Sequence, residues 1–173
     1  MHEPTGNVTD YLRLLMMILT VGAFFSAPAG SQPQIPDDWV SVPVGNILTL
    51  RAPPGTTFHT QSGIDSFTGK LEGPDFVLSL DFGAFSGPLT KLPGMSDYTV
   101  EEIRIDGRPA RLVSGTVSAG STAPHYLIGL YFAHLSDSAS KRPLNLSISG
   151  TLSEADQQAV VRQIFATIHF GSS

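Results

Sequence analysis

The sharpest alternation of apolar and polar positions lies near the C-terminus, where Leu144, Leu146 and Ile148 alternate with Asn145, Ser147 and Ser149. That two-residue period predicts a strand with one buried face. Gly150 and Thr151 break it, and the period then changes to that of a helix. Val160, Val161, Ile164, Phe165 and Ile168 fall on one side, with Gln157, Gln158, Arg162 and Gln163 mostly on the other. Ser153, Glu154 and Asp156 supply a start signal: a serine oxygen for an orphan N–H and two carboxylates at the positive end of the helix dipole. The pattern therefore predicts a helix from Ser153 to about Ile168. Burying each of its large apolar side chains is worth about 1.5–3 kcal/mol before entropy, enough to hold the helix on one face of a sheet.

Upstream, residues 39–42 and 47–51 read as two short strands around Pro43-Val44-Gly45-Asn46, with Trp39 as a core or edge anchor and Pro53-Pro54-Gly55 ending the unit. Residues 64–71 and 76–82 flank Glu72-Gly73-Pro74-Asp75 as a hairpin. Pairing Leu71 with Phe76 and Phe67 with Leu80 keeps apolar residues together and puts Asp65 and Asp81 on opposite faces. Residues 98–105 fit either a short helix capped by Asp97 or the front of a strand. Asp106-Gly107 is a two-residue hairpin signal, followed by a strand over 109–117. Residues 125–133 are apolar on both faces, which predicts a central strand covered on both sides. One helix covers only one of them, so residues 89–103 are the candidate second cover. The expected class is α+β: an antiparallel sheet of about six to seven strands, the C-terminal helix on one face, and a short helix or loops on the other.

The N-terminal pattern is different. Arg13 precedes an apolar run over residues 14–26 that ends in Ser26-Ala27-Pro28-Ala29-Gly30. The run is shorter than the roughly 20 residues that span a bilayer, and small residues sit where a signal peptidase needs them. Residues 1–29 are therefore expected to be a signal peptide cut between Ala29 and Gly30, and the mature protein to be periplasmic or secreted. Glu3 and Asp10 make the leader less basic than usual, so an uncut membrane anchor or a misassigned start is the competing reading. Residues 30–38, with Pro33 and Pro36, form a flexible tether, and 39–173 a single domain.

Composition narrows the chemistry. The chain of 173 residues has a formal charge of −5 and no basic cluster beyond Lys141-Arg142, which argues against nucleic-acid binding. The absence of cysteine excludes disulfides, thiolate nucleophiles, Cys-ligated zinc and iron–sulfur clusters.

The strand ending near Pro53-Pro54-Gly55, the following hairpin, the Ile105-Asp106-Gly107-Arg108-Pro109-Ala110-Arg111 turn, the strand around Tyr126 and the helix ending Ile164-Phe165-Ala166-Thr167-Ile168-His169-Phe170 together resemble the PsbP-like and DcrB-like exported bacterial proteins. The resemblance implies an antiparallel sheet sandwiched by helices and a binding or assembly role in the cell envelope rather than catalysis. It transfers no functional residue.

No motif assigns a catalytic residue, a cofactor or a metal. His59, His125, His134 and His169 lack zinc-ligand spacing, and Ser62, Ser86 and Ser114 neighbour glycines without forming a nucleophile elbow. Asn145-Leu146-Ser147 matches a glycosylation acceptor but falls inside a buried strand. The leading expectation is a noncatalytic envelope protein that binds a protein partner or small ligand through residues 86–98 and 134–143. An exposed aromatic cluster at Phe85 and Tyr98 would favour it. The alternative is a hydrolase with an atypical site, which requires at least two of Asp65, Asp81, His59 and His125 to converge in a hollow. A third reading is a protein tethered to the membrane by an uncut N-terminal segment.

Overall fold

The computed structural model of the protein describes residues 34–118, 124–135 and 143–171. The expected signal peptide, the first part of the tether and most of the 134–143 loop lie outside the described residues.

Ten strands and one helix make up the described part. The strands are β1 (Val40–Val44), β2 (Leu48–Ala52), β3 (Thr57–Gln61), β4 (Ser66–Glu72), β5 (Val77–Gly83), β6 (Met95–Ile105), β7 (Arg108–Val117), β8 (His125–Phe132), β9 (Asn145–Leu152) and β10 (His169–Phe170), and the helix is α1 (Gln157–Ala166). Seven strands form one antiparallel sheet in the order β3-β4-β5-β9-β8-β7-β6, and β1-β2-β10 form a second, small one. The fold is thus sheet-rich, and the expected single sheet is divided in two. No described helix is long and apolar enough to cross a membrane.

Alternation along the strands builds the core. On the inner face of the large sheet, Leu78, Leu80, Leu112, Ile128, Leu130, Phe132, Leu146 and Ile148 are buried in one cluster with Val161, Ile164 and Phe165 of α1 and Val44, Leu48 and Leu50 of the small sheet. Strand β8 lies in the interior of the sheet and is buried from both sides, as its two apolar faces predict. Trp39 is a core anchor, also as predicted.

Helix α1 begins four residues later than its start signal suggested. Strand β9 continues through Gly150 and Thr151 to Leu152, which is buried opposite Tyr126. A side chain at residue 150 would press on the Val77 carbonyl and Leu78, so its glycine is a close-approach position inside the strand and not a break. Ser153 makes no cap; the Gln157 side chain instead accepts the Ser153 and Glu154 N–H groups at 3.1 and 3.2 Å. At the other end Thr167 stops the helix, and its hydroxyl oxygen accepts the Arg51 N–H at 2.8 Å. The chain then enters β10 beside β2.

The Asp106-Gly107 turn forms as predicted, with φ of 51° and 74°. It meets the C-terminal segment in space. Asp106 Oδ2 accepts the Phe170 N–H at 2.9 Å, His169 Nδ1 lies 2.9 Å from Asp106 Oδ1, and the Arg108 guanidinium sits 4.8 Å from the Phe170 ring centre.

The β4–β5 register pairs Leu71 with Leu78 and Phe67 with Phe82, two residues from the expected one. An even slip preserves the faces, so Asp81 stays on the side away from the core. Residues 98–105 resolve as strand, within β6. Strand β3 carries no sequence signal because it is an edge strand with one half-buried apolar residue, Phe58, stacked on Phe67.

Candidate functional site

The outer face of the large sheet holds the candidate site, because the connection from β5 to β6 crosses it. These strands are separated by β9, β8 and β7, so residues 84–94 must pass over one face or the other. They pass over the outer one as a strap. Ser86 is buried and its hydroxyl donates to Ser147 Oγ at 3.0 Å, while Asn145 Nδ2 donates to the Ser86 carbonyl at 3.0 Å. Leu89 lies directly on Gly129, where a Cβ would collide with its side chain. The Tyr98 hydroxyl donates to the Leu89 carbonyl at 3.1 Å. Met95, Val113 and Leu127 complete a small apolar cluster against Leu89 and Tyr98. The strap, a loop, thus packs on part of the outer face of β8.

Beneath and beside the strap, one lateral row of side chains crosses the whole sheet. Glu102, Arg111, Tyr131, Ser147, Asp81, Thr68 and Gln61 are register partners in turn on β6, β7, β8, β9, β5, β4 and β3. Every member is polar. The strap lies over Ser147, near the middle, and leaves a hollow on each side.

The first hollow, of about 440 Å³, is lined by Glu102, Arg108, Arg111, Tyr131, Ala133 and His134, among others. It sets the Arg111 side chain against the Glu102 carboxylate, with Arg108 at its edge, where that guanidinium lies over the Phe170 ring. The second, of about 320 Å³, is lined by Gln61, Thr68, Ser79, Asp81, Ser147 and Ser149 with little apolar surface. Among the described residues, two buried side-chain polar atoms lack a hydrogen-bond partner, Arg111 Nε and Asp81 Oδ1. One belongs to each hollow. They stand three strand spacings apart, about 14 Å, with opposite charges.

The residues singled out in the sequence do not gather. Asp65 is exposed in the bend before β4, His125 opens β8 opposite Val117, and His59 lies on edge strand β3, two strands from Asp81. His59 Nε2 is 3.0 Å from Thr57 Oγ1 and 4.0 Å from Glu72 Oε2. A general base needs its hydroxyl and its orienting carboxylate on different ring nitrogens, and here both share one, on an open surface. The His169–Asp106 pair has the acid on Nδ1 but serves to dock β10. No described group of three His, Asp or Glu residues has the spacing of a metal site. Phe85 is 79% exposed whereas Tyr98 is half-buried under the strap, so the two do not present one exposed aromatic cluster.

Tyr131 and Ser149 carried no motif, and the motifs that hold Arg111 and Ser147, a turn and a glycosylation acceptor, did not point to a site. The one signal the four shared was a polar residue at every second position of otherwise apolar strands, which becomes a row only when the registers are known.

Two other carboxylates are electrostatically tuned, both in ties and not in the hollows. The hydrogen bond from Arg162, at 2.7 Å, holds the Glu101 carboxyl below its ordinary value of 4.5. The Phe170 N–H and then His169 hold Asp106 below 3.8.

No known family model and no curated protein matches the chain.

Proposed function

We propose that this is an exported, noncatalytic binding protein of the PsbP-like and DcrB-like kind, which takes the anionic group of a small ligand in the hollow formed by Arg108, Arg111 and Tyr131. The strap then serves as the second cover of an α+β sandwich. The observation that carries the reading is Arg111, a half-buried arginine in the middle of a strand whose Nε has no described partner and which makes no ion pair with a described residue. A buried charge costs stability unless it is compensated, and a planar guanidinium is suited to a carboxylate or phosphate. The scatter of Asp65, Asp81, His59 and His125 supports binding over hydrolysis.

Native mass spectrometry of the protein taken gently from the envelope of its own host tests both halves of the proposal. The expected species begins at Gly30 and carries a defined extra mass that is lost in the Arg111→Gln variant. A bare wild-type chain, or the same adduct on the variant, would remove the anion site. A chain beginning at Met1 would remove cleavage and shift attention to membrane-tethered partners.

A further inference from the structure

We infer that the second hollow, around Asp81, is a separate binding site for a primary ammonium group on a small aliphatic amine. The inference starts from an uncompensated charge. Asp81 is half-buried in the interior of the large sheet, its Oδ1 is shielded from solvent, and it receives no hydrogen bond or ion pair from any described residue. A carboxylate in that position is costly unless its other oxygen, Oδ2, which is not among the shielded atoms, meets a donor from the open side. The hollow is that side.

Its lining selects the donor. Around the carboxylate stand hydroxyl oxygens from Thr68 and Ser147, the register partners of Asp81, and from Ser79 and Ser149 one pair further along the strands. Thr68 commits its proton to the Gln61 carbonyl at 3.2 Å, so its oxygen faces the hollow as an acceptor. An ammonium group carries three N–H donors and one positive charge, which matches one carboxylate with flanking hydroxyl acceptors. A calcium ion would want six to eight oxygen ligands, and its sites draw on several carboxylates, where this hollow has one. A sugar would want an aromatic face to lie on, and no aromatic side chain lines the hollow. The Ser86–Ser147 contact of the strap separates this hollow from the Arg111 side. The two sites therefore act independently, and failure of one leaves the other standing.

The test is a titration of the ¹⁵N-labelled full chain with putrescine and, in parallel, with 1,4-butanediol, which has the same carbon chain and hydroxyls in place of amines. Putrescine is expected to move the amide signals of Ser79, Asp81, Ser147 and Ser149 saturably, and the diol to leave them in place. Asp81→Asn should weaken the response by about tenfold or more, since it removes the charge while keeping the shape. Ser149→Leu, which keeps the charge and fills the hollow, should abolish it. Because Asp81 bonds to no described residue, the unliganded Asp81→Asn chain should also melt at a higher temperature than wild type. Equal responses to diamine and diol, no saturable response, or an undiminished response in a folded Asp81→Asn chain would each overturn the proposal. The wild-type contrast decides even where a variant fails to fold.

Discussion

Tyr131 and Phe132 are neighbours in β8 and belong to different worlds. Phe132 is fully buried on the inner face, packed edge-on at 5.0 Å against Phe170, under the layer formed by α1 and the small sheet. Tyr131 stands on the outer face in a row of polar residues, beside a hollow that the strap leaves open. The same division runs through the central strands β5, β9, β8 and β7. One face is continuous and sealed by two elements, so its residues are chosen by volume. The other is crossed by one diagonal strap: Leu127, Val113 and Gly129 beneath it are apolar or small, Val77 and Val100 on the same face stay partly exposed, and the row through Arg111 and Asp81 carries charge and hydroxyl groups. A sheet that needs only one sealed face for stability is free to use the other for recognition.

The largest break of that contrast is a truncation inside the sealed layer. Phe132→Ala should cost about 3–5 kcal/mol, the range for deleting a buried aromatic side chain that leaves a cavity. Tyr131→Ala, one residue away, should cost about 1 kcal/mol or less, as do most changes outside packed cores. Urea unfolding midpoints measure both. Equal costs would mean that the outer face is packed as tightly as the inner, and the hollows would lose their meaning as sites.

A change beneath the strap is expected to fall between these two. Gly129→Val forces a side chain into the space of Leu89, and overpacking of this kind costs about 1–3 kcal/mol. Leu89→Ala in the same chain should return part of the loss, because the clash has one partner. A double-mutant cycle reads the coupling, and purely additive costs would show that Leu89 does not rest on Gly129.

Much of the inner face was legible from the sequence, and little of the outer. Leu146, Ile148, Val161, Ile164 and Phe165 announce themselves by period, because burial acts on each residue singly and repeats with the geometry of the element. The Asp106-Gly107 turn was legible for a similar reason, since two consecutive positive φ angles restrict residue choice locally. Gly150 misled, because a glycine demanded by the closeness of Val77 reads the same as one that ends a strand. The row from Glu102 to Gln61 was hidden for a different cause. Its members come from seven strands and meet only through strand order, in which β9 inserts between β5 and β8. Asp81 could be seen in the sequence; its neighbours could not. Strand β10 was masked by its length, two residues held by a turn distant in sequence.

The smallest expected effect concerns the charges that tie the sealed layer together. Asp106 docks β10, and Glu101 on β6 grips Arg162 of α1 at 2.7 Å. The folded state holds both carboxyls below their ordinary values of 3.8 and 4.5, the first chiefly through the Phe170 N–H and the second through the Arg162 hydrogen bond. A carboxylate whose pKa is depressed by folding contributes its full stabilisation above the ordinary value and loses it as pH falls through the folded one. Stability should therefore be flat near neutrality for these two groups and decline from about pH 5 downward. Asp106→Asn and Glu101→Gln should each make that decline shallower. For Glu101 the change should be a few tenths of a kcal/mol, since both partners of the pair are more than a third exposed. Thermal melts at stepped pH check the sign, and a decline that steepens in either variant would show that its carboxylate is not held down by the tie. Because both ties lie off the outer face, neither substitution should alter the response of the Asp81 hollow to an amine, which separates the charges that hold the layers from the charge left open to a ligand.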